Sequence, residues 1–337
     1  HPASRPDPAE TLSFFLQRLE YGLRGSLWGS AVNIITVNSG AAGTTGDGDG
    51  QITFADAVRM AADSAGEDRI EFIRELATVR MDDIDVGPGT LTIDGDTNGD
   101  GIADVTLTAE ARSGLRLLND AADVTLSAVR IADSQIEARD GGDGADRPDA
   151  PDVTWEEFFR PEAGSTSFQK HWGAEGGAGE IGQDAAPIIV RAGTLRLDRV
   201  TFADNRALAG DGGDGGNGGD AGDGGDADDQ DIVQPGASGG AGGLGGEGGR
   251  GGDAAAGFLI KGGKGVIGEV AFEGQLSAFG GDGGTGGIGG DGGNGGDGGD
   301  GRNGNALTGR EPTSGGDGGR AGGGASGGRG GDGGNAA

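Results

Sequence analysis

The sequence predicts an all-β protein: a parallel β-helix carrying inserted Gly-Gly-X hairpins, with a short N-terminal α-helix as its cap. Three observations lead there. Short apolar strands separated by Gly, Asp and Asn turns fill the first half of the chain. A segment of about 22 residues recurs three times with apolar side chains at matching places, the mark of stacked repeats. Glycine supplies 82 of 337 residues, and after Asn205 most of it falls into triplets, so the two halves obey different folding rules.

In residues 1–30, Asp7 reads as an N-cap with Pro8 in the first turn. Leu12, Phe15, Leu16, Leu19 and Leu23 then form an apolar stripe at helical spacing, and Gly25 and Gly29 end it. Residues 31–138 change to a period of two. Strands are expected at 32–37, 69–73, 90–93, 105–108, 114–118, 124–126 and 129–132, with a short helix at 54–62.

The repeat decides between a solenoid and a sandwich or barrel. Leu117, Leu126 and Ile131 point inward in its first copy. Their expected counterparts are Ile189, Leu195 and Phe202, then Leu259, Val266 and Phe272. One such coil cannot bury its apolar face without a neighbour. The coils at 186–209 and 256–279 are separated by an aromatic insertion at 139–185 and glycine-rich hairpins at 210–255 and 280–337. The insertions leave at equivalent points, near Arg139, Gly210 and Gly280, which predicts that they project on one side.

Within the hairpins one frame persists, with Asp211, Asn217 and Asp220 on X going out and Leu244, Glu247, Arg250 and Asp253 on X coming back. A period of three is that of a polyproline-II-type helix, which places every X on one edge and leaves bare backbone elsewhere. Ordering a residue costs about 1–2 kcal/mol and a hydrogen bond returns about 0.5–1.5 kcal/mol. A lone glycine hairpin therefore stays a flexible linker, whereas a laterally bonded bundle holds.

The stretches Ile35-Thr36-Val37, Asp47-Gly48-Asp49-Gly50, Ala55-Asp56-Ala57-Val58 and Asp68-Arg69-Ile70-Glu71-Phe72 resemble bacterial secreted and surface repeat proteins that open with a CSLREA-like motif. Thr90 to Gly95 and Val200 to Asn205 are similar to the coils that follow in such proteins. The resemblance implies a right-handed parallel β-helix, export and often adhesion. The motif's cysteine is absent, and Gln51-Ile52-Thr53-Phe54 stands in its place. The glycine arrays resemble the polyglycine II bundles of phage adhesins, on triplet composition alone.

Asp94-Gly95-Asp96-Thr97-Asn98-Gly99-Asp100-Gly101-Ile102-Ala103-Asp104 is the sharpest chemical motif. Alternating Asp96, Asn98 and Asp100, a turn at Gly101, the Ile102 carbonyl and Asp104 at the ninth place are hard oxygen ligands for Ca2+. Leu107 replaces the closing Glu of a full EF-hand loop, and an Asp/Gly turn without metal is the alternative. A second calcium-type loop carries Asp47, Asp49 and Asp56, with Thr45 where the first Asp belongs. Trp155, Phe158, Phe159 and Trp172 form either a small core for the first insertion or an exposed patch for a partner.

No cysteine and only two histidines, His1 and His171, leave little for thiolate or imidazole chemistry, and no catalytic constellation stands out. A net charge of −30 repels nucleic acid and anionic membranes, and no apolar run is long enough to span a bilayer. A first residue His1 rather than Met fits a processed, exported chain. The expectation is a non-enzymatic extracellular or cell-surface protein, structural or adhesive and stabilised by calcium. It would self-associate into an oligomer or filament through its hairpins. A receptor- or glycan-binding adhesin is the alternative, and a β-helix enzyme acting on polysaccharide a lesser one.

Overall fold

A computed structural model describes residues 32–42, 50–64, 66–152, 172–223, 238–291, 294, 320 and 323–337. The helix expected in residues 1–30 lies outside these. The chain divides into two compact units that it enters alternately. The first comprises His1–Ile136, Ala186–Arg206 and Ala256–Ser277; the second comprises Glu137–Ala185, Ala207–Ala255 and Ala278–Ala337.

The strands, in chain order, are β1 (Asn33–Val37), β2 (Glu67–Phe72), β3 (Thr78–Arg80), β4 (Ile84–Val86), β5 (Gly89–Asp94), β6 (Thr106–Thr108), β7 (Leu115–Leu117), β8 (Ala122–Ala132), β9 (Gln135–Glu137), β10 (Ile188–Val190), β11 (Thr194–Ala203), β12 (Arg206–Leu208), β13 (Phe258–Ile260), β14 (Lys264–Ile267), β15 (Val270–Glu273) and β16 (Ser277–Phe279). The one helix among the described residues is α1 (Phe54–Asp63). The protein is β-rich, and its strands form three sheets. The largest runs β1-β2-β5-β8-β11-β14, with β15 also on β11, and β3 and β6 joined beside β8. The second runs β13-β10-β7-β4 and the third β16-β12-β9.

The pairs of the two larger sheets are parallel, so each strand meets the strand of the next pass rather than its hairpin neighbour. Parallel sheets are stable when both faces are covered, and the inward positions comply: Leu91, Ile93, Val124, Leu126, Ile131, Leu195, Leu197 and Phe202 are all buried. The chain bends within and between strands at single left-handed residues. Ala128 and Arg199 share one such corner, and Asp133, Asp204 and Gly274 another, with φ of 49°, 56°, 55°, 51° and 63°. Asn205, buried beside the second corner, donates to the Ile131 carbonyl and accepts from the Ser134 amide, each at 3.0 Å.

The register corrects part of the sequence alignment. Ile131, Phe202 and Phe272 do pair across three passes. Leu117 however faces Val190 and Ile260, one residue beyond the expected partners, and Leu126 faces Leu197 and Ile267. Apolar residues flank each of these positions, so hydrophobic pattern alone admits more than one register. Two predicted strands, 124–126 and 129–132, form the single β8, because Ala128 bends the strand without breaking it.

The last pass is left open. Phe202 is fully buried against Phe258 and Phe272, with ring centroids at 5.7 and 5.6 Å, whereas Phe272 itself is 58% exposed. No strand lies beyond β14 and β15 among the described residues.

Among the described residues the legs of the second unit contain neither helix nor regular strand, yet backbone hydrogen bonds join each leg to its neighbours. Each insertion has an outgoing leg and a return leg. Within an insertion the two run antiparallel, as Gly177, Glu180 and Gln183 donating to Ala145, Gly142 and Arg139 show. Corresponding legs of successive insertions run parallel: Gly141, Gly144, Arg147 and Ala150 donate to the carbonyls of Asp211, Asp214, Asn217 and Asp220 at 2.7–3.1 Å. Gly212, Gly215, Gly218 and Ala221 donate in the same way to Asp282, Thr285, Ile288 and Asp291. Exposure repeats every three residues in the second insertion, with X exposed and the glycine that precedes it buried.

Candidate functional site

The Asp-rich loop joins β5 to β6. Its shape is set by side chains that accept backbone N–H groups a few residues on, which suits Asp and Asn between strands. Asp96 Oδ1 accepts from Asn98, Gly99 and Asp100 at 3.3, 2.6 and 3.2 Å, and its Oδ2 from Gly101 at 2.7 Å. Asn98 accepts from the Asp100 amide and Asp100 from the Ile102 amide. Asp104 closes the loop, taking the amide and hydroxyl of Thr97 and the Asn98 side-chain amide at 2.7–3.2 Å. Gly99 and Gly101 adopt φ of 82° and 83°, which only glycine takes without strain. Burial works against the Asp96 charge, but the four amides, Gly101 first, outweigh it and hold the carboxyl below the usual range.

The structure thus brings Asp96, Asn98, Asp100 and Asp104 into one loop, with the Ile102 side chain exposed. Asp94 flanks them: it accepts the Asp96 amide at 3.1 Å, but its other oxygen is held by Arg69. Among the described residues no three of His, Asp and Glu form a group spaced to hold a metal ion.

An open groove of about 420 Å³ adjoins the loop, lined by Gly101, Ile102, Arg130, Arg199, Thr201 and Glu269 among others. Its arginines are engaged. Arg199 donates to the Gly101 carbonyl, Ser127 and Asp198, and Arg130 to Glu273 at 2.8 Å.

Of the second loop, Asp47 and Asp49 lie outside the described residues. Asp56 caps α1: Thr53 and Asp56 form a reciprocal capping box, the Asp56 amide donating to Thr53 Oγ1 at 3.1 Å and the Thr53 amide to Asp56 Oδ2 at 3.2 Å. Trp155, Phe158 and Phe159 also lie outside, and Trp172 is 51% exposed on the first return leg.

Sequence reasoning missed the residues that knit the second unit. The side chains of Asp140, Asp143, Asp146, Asp149 and Asp152 accept the amides of Asp211, Asp214, Asn217, Asp220 and Asp223 at 2.6–3.0 Å. Those five side chains in turn accept the amides of Asp282, Thr285, Ile288, Asp291 and Asn294 at 2.6–2.9 Å. Every step spans 71 residues. The first insertion is therefore not only aromatic; its flanks are legs of the same bundle. The available signal was an Asp at every third position from 140 to 152. Thr285 binds Asp214 through its amide and also its hydroxyl, which keeps that carboxyl below the usual range despite some desolvation.

Comparison with protein-family models, curated proteins and solved structures found no match.

Proposed function

We propose that this chain is a secreted or cell-surface structural and adhesive protein and not an enzyme. In this reading the first unit is a right-handed parallel β-helix and the second a polyglycine II-type bundle. The bundle is a stiff support for the segments that join its legs, residues 153–171, 224–237 and 295–319, which contact a receptor or glycan. The observation that carries this is the 71-residue Asp ladder. It repeats through three insertions and spends the acidic side chains on backbone amides rather than on a reacting centre. The groove beside the Asp-rich loop supports the same reading, since its arginines are already paired. Calcium belongs to the proposal as a stabiliser. Oxygens of Asp96, Asn98, Asp100 and Asp104 with the Ile102 carbonyl would ligate it, and it would rigidify the loop between β5 and β6.

The test is a panel of cell-surface glycans and cells, probed with the wild-type chain and with a variant whose residues 229–236 and 305–314 are replaced by Gly-Ser. Binding lost in the variant at an unchanged melting temperature is expected. Cleavage of any glycan, or binding indifferent to the replacement, would overturn the proposal.

A further inference from the structure

The two outer faces of the glycine stack differ. The outgoing leg in the middle of the stack has all three amides of each triplet paired. For residues 214–216, Asp214 donates to Asp143, Gly215 to the Thr285 carbonyl and Gly216 to the Gly177 carbonyl. In the third insertion one amide per triplet that is paired in the second has no partner among the described residues: those of Gly283, Gly286 and Gly289 going out, and of Gly327, Gly330 and Gly333 returning. The carbonyls of Gly328, Gly331 and Gly334 also accept nothing, although their second-insertion equivalents Gly246, Gly249 and Gly252 accept from Gly287, Gly284 and Gly281. This face therefore carries an unused set of the same donors and acceptors that join the insertions inside the stack.

Glycine itself marks the face. A Cβ on Gly245, Gly248 or Gly251 would lie 2.1–2.2 Å from a carbonyl oxygen of the third outgoing leg, so those positions require glycine. At their equivalents Gly327, Gly330 and Gly333 the nearest atoms would be the Gly287, Gly284 and Gly281 oxygens at 3.0, 3.5 and 3.7 Å. The chain's own packing does not require glycine at the last two, yet glycine is there, at a cost in conformational entropy. The first-insertion face is the reverse. At the positions where the second insertion has Gly216, Gly219, Gly222, Gly243, Gly249 and Gly252, facing the preceding legs, the first has Ala145, Pro148, Pro151, Ala174, Glu180 and Gln183. Side chains there keep another backbone at a distance, and the two prolines have no amide to offer.

We propose that the third-insertion face docks the same face of a second copy, giving a two-fold dimer and not a filament. The first-insertion face cannot extend the stack, so association closes at two. A two-fold axis along the legs sets each outgoing leg against the partner's return leg. Free amides of one copy then meet free carbonyls of the other. The acidic outgoing edge with Asp282 and Asp291 faces the return edge that carries Arg320 and Arg329. Ile288, 73% exposed on the outgoing edge, is covered in the same contact.

Sedimentation velocity of the full chain over a concentration series tests this. The expected species has twice the 32.9 kDa mass of one chain. Gly330→Val should abolish the dimer and leave the monomer's melting temperature unchanged, because among the described residues its Cβ meets nothing nearer than the Gly284 carbonyl oxygen at 3.5 Å. Arg329→Glu, an exposed change that no internal contact resists, should weaken the dimer if Gly330→Val fails to fold. Ala145→Val, on the opposite face, should remain dimeric. A monomer at all concentrations overturns the proposal, as does an open series of oligomers or a dimer broken by Ala145→Val. The dimer stands or falls apart from the adhesive reading, since sedimentation reads mass and the glycan panel reads binding.

Discussion

Gly249→Ala is the sharpest test of the bundle's packing. The new Cβ would sit 1.8 Å from the Glu180 carbonyl oxygen, and ordinary contact begins only at 3.4 Å, so one leg must move by more than an ångström. Neither neighbour can rotate away, because the opposing atom is backbone. The shift strains the Gly249 amide on the Gly213 carbonyl at 2.7 Å and the Gly284 amide on the Gly249 carbonyl at 2.8 Å. Overpacking costs about 1–3 kcal/mol, and two weakened hydrogen bonds cost about 0.5–1.5 kcal/mol each. Against these, replacing glycine by alanine recovers about 0.4–1 kcal/mol from the unfolded chain. The net expectation is a loss of about 1–5.5 kcal/mol. Gly330→Ala is the matched control: its Cβ meets a single oxygen at 3.5 Å, and it should gain about 0.4–1 kcal/mol. Denaturant midpoints, measured dilute enough for the chain to be monomeric, decide the matter. Equal shifts for the two variants would refute the idea that close backbone approach is what demands glycine here.

Calcium titration should raise the melting temperature. A ligand at 100 times its dissociation constant adds about 2.7 kcal/mol, and Asp96→Ala should remove the response; a melt indifferent to calcium and chelator counts against the metal. Acid should loosen the Asp ladder in a defined direction. The Asp214 carboxyl is held below its ordinary value, so its contribution is fully present above a pH of about 3.9 and fades as pH falls through the lowered folded value. Asp214→Asn keeps an acceptor for Thr285 and should flatten part of that acid limb in thermal melts; an unchanged acid profile would argue against the ladder. Phe202→Ala, which empties a fully buried ring site, should cost about 3–5 kcal/mol, whereas Phe272→Ala, at a half-exposed ring that covers Phe202, should cost less.

The strand-rich class, the α1 region and the three-residue frame were all legible in the sequence, for physical reasons. Period-two runs such as Val124 to Leu126 and the Gly-Gly-X frame are local signals. Register was not legible at β7 and β10. Leu115, Leu117, Ile188, Ile189 and Val190 are all apolar and all buried, so a one-residue slip costs no pattern. The Asp-rich loop was visible because its ligand-type residues are adjacent in sequence. The ladder was not, because Asp143 and Asp214 look like any charged edge until a 71-residue offset aligns them. Composition suggested a solvated acidic surface, and the structure uses the carboxylates of the outgoing legs as acceptors for the one amide per triplet that glycine packing leaves over there.

That use explains how a chain so rich in glycine can be ordered at all. Fixing three residues of a triplet costs about 3–6 kcal/mol at 1–2 kcal/mol each. A lone hairpin pairs about one amide per triplet, as between Gly177 and Ala145, and returns about 0.5–1.5 kcal/mol. The outgoing leg in the middle of the stack pairs three amides, and the one on X is charge-assisted, as when Asp140 accepts from Asp211. Its return rises to about 1.5–4.5 kcal/mol, within reach of the cost before dispersion contacts are added. The bundle is therefore stable only as a stack. The first insertion can tolerate Ala145, Pro148 and Pro151 because only one of its sides is packed. The third, with an amide per triplet unused and glycine retained where nothing of its own crowds it, has the composition of a middle layer.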